Sequence, residues 1–151
     1  MGQDTYPEWR RAATHTLHTA FLLKAILEER LQAGAGILLA DNEALLNIAH
    51  AEAPLRMSDI ADRLVLSRGG TTKVIDRLEE MGLVERHPDE DDRRATVVEI
   101  TEAGLRVMAR AREIVDAALA ETWAAHVDHT EAGVITEVMD RVMRANHPGS
   151  R

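Results

Sequence analysis

One run, from Ser58 to Thr101, constrains this chain more than any other: SDIADRLVLSRGGTTKVIDRLEEMGLVERHPDEDDRRATVVEIT. Its apolar period changes along its length. In SDIADRL, Ile60, Ala61 and Leu64 share a helical face, and Ser58 is placed to cap it. After Leu66, Ser67 is placed to cap a second helix reaching Met81, in which Val74, Leu78 and Met81 recur at i, i+4 and i+7. Gly82 stands where a helix end takes a residue at positive φ. LVERH and TVVEI have the composition of strands, and PDEDDRRA between them has turn chemistry. Upstream, Leu55-Arg56-Met57 is a short extended piece suited to a third strand.

Helix, turn, longer helix and charged hairpin are the order of a winged helix-turn-helix. The expected fold is mainly α with a small antiparallel β wing. The run is similar to the MarR family, the multiple-antibiotic-resistance type of transcription regulator. The likeness is carried by Leu66-Ser67-Arg68, by Val74-Ile75-Asp76-Arg77-Leu78-Glu79 and by Gly82-Leu83-Val84. The wing pattern Asp92-Arg93-Arg94-Ala95 follows, then Ile100-Thr101 and Glu102-Ala103-Gly104. Ile100 replaces the Leu with which the family's strand ends. The resemblance extends over nearly the whole chain. It implies a homodimer joined through N- and C-terminal helices, binding double-stranded DNA as a repressor that a small aromatic or phenolic effector releases.

The flanking segments read as helices. Pro7 suits the first turn of one running to about Gln32, with Trp9, Ala13, Leu17, Ala20, Phe21, Leu27 and Leu31 in a stripe near period 3.6. Ala33-Gly34-Ala35-Gly36 ends it. Asp41 starts another, with Leu45, Leu46, Ile48 and Ala49 as its apolar face, and Ala53-Pro54 stops it. After the wing, Thr101-Glu102-Ala103-Gly104 opens a helix to about His126. The same tetrapeptide, Thr130-Glu131-Ala132-Gly133, opens another to about Asn146. Threonine caps both, and glutamate meets the positive end of the helix dipole. The expectation is a single domain over 1–151, with a DNA-binding lobe at about 37–101. Dimerisation helices flank it at about 7–32 and 101–146. The apolar faces of these helices exceed what a small wing domain can cover, which points to a two-fold dimer.

Composition narrows the chemistry. The 151 residues include no cysteine, which excludes disulfides, thiolate metal sites and thiol redox sensing within the chain. No apolar run is long enough to span a bilayer and no signal peptide is legible, so a cytoplasmic protein is expected. The net charge of −8 argues against a general nucleic-acid binder but says nothing of a single face. Phosphate-loop, H-E-x-x-H and G-x-S-x-G motifs are missing, and no acid occupies an apolar position, so no enzyme is expected. His15 with His18, and His126 with His129, have a spacing that can hold zinc. Without cysteine, and with nothing bringing the pairs together, they read as structural or solvated, and no metal or other cofactor is expected.

The chemistry lies on the second helix of the motif. With Val74, Leu78 and Met81 inward, Arg68, Gly69, Thr72, Lys73, Asp76 and Arg77 face outward. Gly69 and Gly70 in the first turn cost about 1 kcal/mol each against alanine. Either good packing tolerates them, or close approach to DNA offsets the cost. Arg68 and Lys73 suit guanine or phosphate, and Thr72 suits a thymine methyl. Ser67 and Arg77 suit phosphate. Singly, each also reads as a solvated residue; jointly they make a DNA-binding face.

In the wing, Pro88–Ala95, Arg93 and Arg94 seek phosphate while Asp89, Glu90, Asp91 and Asp92 repel it. The resemblance makes Arg94 the wing arginine and Asp92 the residue that orders the loop, by pairing with a nearby arginine. The acids at 89–91 exceed what the fold needs. A solvated charged hairpin is the alternative. The resemblance also implies that Trp9, His15 and His18, with Arg10, line an effector cleft. A reading from another class remains: a winged-helix protein-interaction module without DNA binding. The acidic balance favours it, and Arg68, Lys73, Arg77 and Arg94 disfavour it.

Overall fold

The Ser58–Thr101 run folds as two helices and a hairpin, and the structure, a computed structural model, describes residues 6–64, 67–89, 92 and 94–146, excepting the side chain of Arg68. In chain order the elements are α1 (Glu8–Ala35), α2 (Leu39–Ala49), β1 (Leu55–Arg56), α3 (Met57–Arg63), α4 (Arg68–Glu80), β2 (Val84–Pro88), β3 (Thr96–Ile100), α5 (Glu102–Leu119), a π-helical turn (Ala120–Ala124) and α6 (His129–Asn146). The three strands form an antiparallel sheet in the order β1-β3-β2, with Leu55 opposite Val98 and Val84 opposite Ile100. This is a mainly helical chain with a small β wing. Leu66 and the tail from His147 lie outside the described residues.

The described chain divides into two compact units, one ending at Val115 and one beginning at Asp116. The first holds the core. Leu31 of α1, Ala44, Leu45 and Ile48 of α2, Ile60 of α3 and Val74, Ile75 and Leu78 of α4 are buried with Leu83, Val84, Val98 and Ala111. Further toward its N-terminus α1 has no cover: Trp9, Leu17, Phe21 and Leu22 are all more than half exposed. In the second unit, Val134, Val142 and Met143 of α6 are exposed in the same way.

Helix ends show where side-chain chemistry overrode the simplest pattern. α1 runs past Gln32 to Ala35 and stops where Gly36 takes φ +70°, donating its N–H to the Gln32 carbonyl. Ser58 does not cap α3. The helix begins one residue earlier, and the Asp59 carboxylate accepts the Arg56 N–H at 3.3 Å. Ser67 caps α4 as expected, its Oγ accepting the Gly70 N–H at 3.1 Å. Gly82 takes φ +69° beyond α4, and the Leu83 N–H reaches back to the Leu78 carbonyl at 2.9 Å. Thr130 does not cap α6. Asp128 accepts the Glu131 N–H while Glu131 accepts the Asp128 N–H, a reciprocal box that begins two residues upstream.

Candidate nucleic-acid interface

α4 is two-sided. Thr71, Val74, Ile75 and Leu78 are buried, and Gly69, Thr72 and Lys73 are exposed beside the exposed cap Ser67. Of the residues expected to face outward, Gly69, Thr72 and Lys73 are exposed while Asp76 and Arg77 are half-buried, and the inward set differs as well. Met81 is 42% exposed and sits one residue past the helix, and the buried face includes Ile75 and Thr71 instead. Thr71 enters the core because its hydroxyl donates to the Ser67 carbonyl at 3.2 Å. The Arg68 side chain lies outside the described residues. Gly70 is half-buried, and at Gly69 an added Cβ would meet nothing within 4 Å. Among the described residues no packing therefore requires glycine at 69.

Arg77, expected to reach for phosphate, lies across Asp41 of α2 instead. Its Nε is 3.0 Å from each carboxylate oxygen, and an Nη also bonds Oδ1. Asp41 does not head the helix, as expected, but occupies its first turn. It is fully buried, so one acid does occupy an apolar setting, with a charged partner. The hydrogen bonds from Arg77 to Asp41 outweigh burial and raise the guanidinium pKa.

A second arginine had no sequence expectation at all. Arg86 of β2 reaches back to α4, donating to Asp76 at 2.6 Å and to Glu79. Burial alone would lower its pKa, but the two carboxylates raise it. Two acids of α4, Asp76 and Glu79, are thus paired within the fold. Strand alternation was the available signal, since Val84 and Arg86 share a face and Val84 is core.

The wing is ordered by its acids. Asp89 and Ala95 close the loop through the Asp89 N–H and the Ala95 carbonyl at 3.0 Å. Asp89 accepts the Asp92 N–H and also the Arg56 Nε at 2.7 Å, which ties the loop to β1 and raises the Arg56 pKa. Asp92 accepts the backbone N–H of Arg94 at 3.0 Å. Asp92 thus orders the turn through a backbone bond, and its charge also acts on the nearby Arg56. The expectation that the acid at 89 is surplus is replaced, because Asp89 makes two of the loop's ties. Arg94 is exposed; Glu90, Asp91 and Arg93 lie outside the described residues.

The other expected residues lie elsewhere. An open groove of about 360 Å³ near the start of α1 is lined by Tyr6, Arg10, Arg11, Thr14 and His15, with the Arg10 guanidinium 4.2 Å from the Tyr6 ring centroid. Trp9 and His18 are exposed and outside that lining. His126 and His129 do not share a helix, because a turn separates them. Among the described residues no three His, Cys, Asp or Glu side chains converge as a metal ion would need, and no helix is long and apolar enough to cross a membrane.

A helix-turn-helix whose second helix shows a polar face beside a three-stranded wing makes this a winged helix-turn-helix protein. Residues 36–95 match the model of the MarR family. It is 38% identical over 63 residues to the uncharacterized HTH-type transcriptional regulator YfiV of Bacillus subtilis, a match over 42% of this chain and 39% of that protein. The chain thus spans about two fifths of the length of the curated relatives it matches. Two solved structures from Streptomyces coelicolor are similar over almost the full length. Sco3205, a MarR family transcriptional regulator in complex with DNA, superposes with a TM-score of 0.87 at 22% identity, covering 98% of this chain and 93% of that one. AbsC, a MarR family transcriptional regulator, superposes with a TM-score of 0.84 at 25% identity, covering 95% and 97%.

Proposed function

We propose that the chain is a sequence-specific double-stranded DNA-binding transcriptional regulator. In this reading it works in the cytoplasm as a homodimer, represses without catalysing any reaction, and is released by a small effector. The observation that carries the reading is the outer face of α4. Ser67, Gly69, Thr72 and Lys73 are exposed together, and among the described residues no packing requires the glycine at 69. Two successive glycines in the first turn let backbone N–H groups approach phosphate at the positive end of the helix. Lys73 and Thr72 then offer a cation and a methyl to a major groove. Arg68 belongs to the same face by its position, and Arg94, with Arg93 beside it in sequence, suits a narrow minor groove.

Self-association is supported by the exposed apolar residues of α1 and, separately, of α6. Two α4 helices related by a two-fold axis would read a pseudo-palindrome with half-site centres about 10 bp apart or a multiple of that. For the effector, the groove beside His15 has an aromatic ring and two arginines, which suits an acidic or phenolic molecule. The protein-interaction module remains the rival because the net charge is −8. Arg86 weakens that argument by pairing two of the acids on α4.

The test is selection of duplexes from random sequence, followed by fluorescence anisotropy at several salt concentrations, with wild type and Gly69→Ala. The expected result is a selected pseudo-palindrome with salt-dependent affinity. Gly69→Ala should melt no lower than wild type, because alanine favours the helix by up to about 1 kcal/mol. It should nevertheless bind the duplex more weakly, because its methyl group lies in the contact. A wild type that enriches no duplex refutes the reading in favour of the protein-interaction module.

A further inference from the structure

Three helices converge at the Asp41–Arg77 pair. Asp41 stands in the first turn of α2, where a negative charge complements the helix dipole, and Arg77 stands in the last turn of α4, where a positive charge does. The Asp41 side chain is 1% exposed and that of Arg77 36%. One carboxylate oxygen also accepts the Leu38 N–H at 2.9 Å, so Asp41 cannot swing to follow a departing arginine without losing a backbone bond. From α1, Glu28 accepts the Leu39 N–H at 3.2 Å, and its charge also acts on Arg77. The planar guanidinium, bound through Nε and an Nη, fixes direction as well as distance.

We infer that Arg77 is a positioning residue rather than a phosphate contact: through Asp41 it sets the rotation of α4 on α2, and so the direction in which Ser67, Gly69, Thr72 and Lys73 face. The pair sits near the C-terminal end of α4, away from the first turn that would approach DNA. The core residues of α4 are apolar apart from Thr71, and such contacts are non-directional. The fork on Asp41 supplies an orientation that they do not. This inference rests on the DNA-binding reading above.

The experiment uses the full chain and a duplex that the wild type has selected from random sequence. Affinity is measured by anisotropy across salt concentrations for Arg77→Met, Arg77→Lys, Asp41→Asn, the Asp41→Asn/Arg77→Met pair and Lys73→Met. Folding of each is checked by circular dichroism. Positioning predicts at least a tenfold loss for Arg77→Met with an unchanged slope of log K against log salt. Asp41→Asn should also lose affinity, although removing an acid would favour DNA on charge alone. The double variant should lose no more than the worse single one. Arg77→Lys should lose affinity too, because a lysine keeps the charge but not the fork; it serves if Arg77→Met does not fold. Lys73→Met should lower the slope by about one, as loss of a phosphate contact does.

A slope lowered by about one in Arg77→Met, with Arg77→Lys near wild type and Asp41→Asn binding as well or better, overturns the inference and makes Arg77 a direct contact. A wild type that selects no duplex overturns the DNA-binding reading and this inference with it. The two failures are thereby distinguished.

Discussion

Replacing Gly104 with alanine should destabilise the protein, whereas the same change at Gly133, in an identical tetrapeptide, should stabilise it. A Cβ at 104 would lie 2.1 Å from the Leu83 carbonyl oxygen and 2.7 Å from Ile100 Cγ1. Relief requires a shift of well over about 1 Å to regain ordinary contact distance. That shift acts on a joint closed by hydrogen bonds. The Leu83 carbonyl accepts the Thr101 N–H at 3.1 Å, the Gly82 carbonyl accepts the Thr101 hydroxyl at 2.8 Å, and Thr101 Oγ1 accepts the Gly104 N–H at 3.0 Å. Overpacking typically costs about 1–3 kcal/mol, and one weakened hydrogen bond about 1 kcal/mol. The helix preference for alanine returns up to about 1 kcal/mol. The net is a destabilisation of about 1–3 kcal/mol, or a melting temperature lower by roughly 3–10 °C for a chain of this size. At Gly133 an added Cβ meets nothing within 4 Å, so only the helix preference remains. The gain there is up to about 1 kcal/mol, or roughly 2–4 °C. Thermal melts at matched protein concentration, followed by circular dichroism, read both. Equal shifts in the two variants, or a stabilised Gly104→Ala, would refute the steric argument.

Ser67→Asp should keep the α4 cap, because aspartate accepts the Gly70 N–H as well as serine does, and thermal melts should change little; the same variant should bind a selected duplex many-fold more weakly, and unchanged affinity would remove Ser67 from the interface. Arg86→Met should unfold with about 1 kcal/mol less stability, a modest figure because Asp76 and Glu79 are well exposed; it should also weaken DNA binding by leaving two acids bare on α4, and tighter binding would contradict this. Asp92→Ala should weaken binding despite losing a negative charge, because a wing without the bond to the Arg94 N–H must order on docking; tighter binding with unchanged preference for A·T-rich flanks would show that the acid only detunes the wing.

The elements of this fold were legible because each carries its own local signal. Gly82, Ser67 and the two strand runs were readable from a few neighbours, and the structure places them as expected. Two errors concern caps and one the buried stripe. Ser58 and Thr130 were assigned as caps by residue type, but α3 is preceded by Arg56, whose N–H the Asp59 carboxylate accepts, and Asp128 caps α6; Met81 was assigned inward by helical period but lies past the end of α4. Several residues can cap or pack within one turn, and the sequence does not rank them. Charge pairing was hidden for a different reason. Asp41 and Arg77 are 36 residues apart, and Arg56 and Asp89 are 33 apart. Nothing in either neighbourhood announces the other, so Arg77 read as a free cation and Asp89 as a surplus acid. Ten residues separate Arg86 from Asp76, and strand alternation could have aimed it at α4. The outer face of α4 was readable because helical period alone assigns it, once the buried face is known.

The turn bond at Asp92 gives the wing an uncommon freedom. What the loop asks of this side chain is an acceptor for one backbone N–H, and an uncharged amide oxygen can accept as a carboxylate does. Conformation and electrostatic potential are therefore separate variables at this position. A change from Asp92 to Asn raises the local charge by one while the loop keeps its outline. On the proposed DNA-binding reading, affinity can then drift in small steps, with no intermediate in which the hairpin must be rebuilt. A chain with a net charge of −8 has many acids to exchange in this way. Only those whose oxygen is used as an acceptor, rather than as a counter-ion, can be exchanged without a change of shape. Asp89, bonded to the guanidinium of Arg56, is not among them.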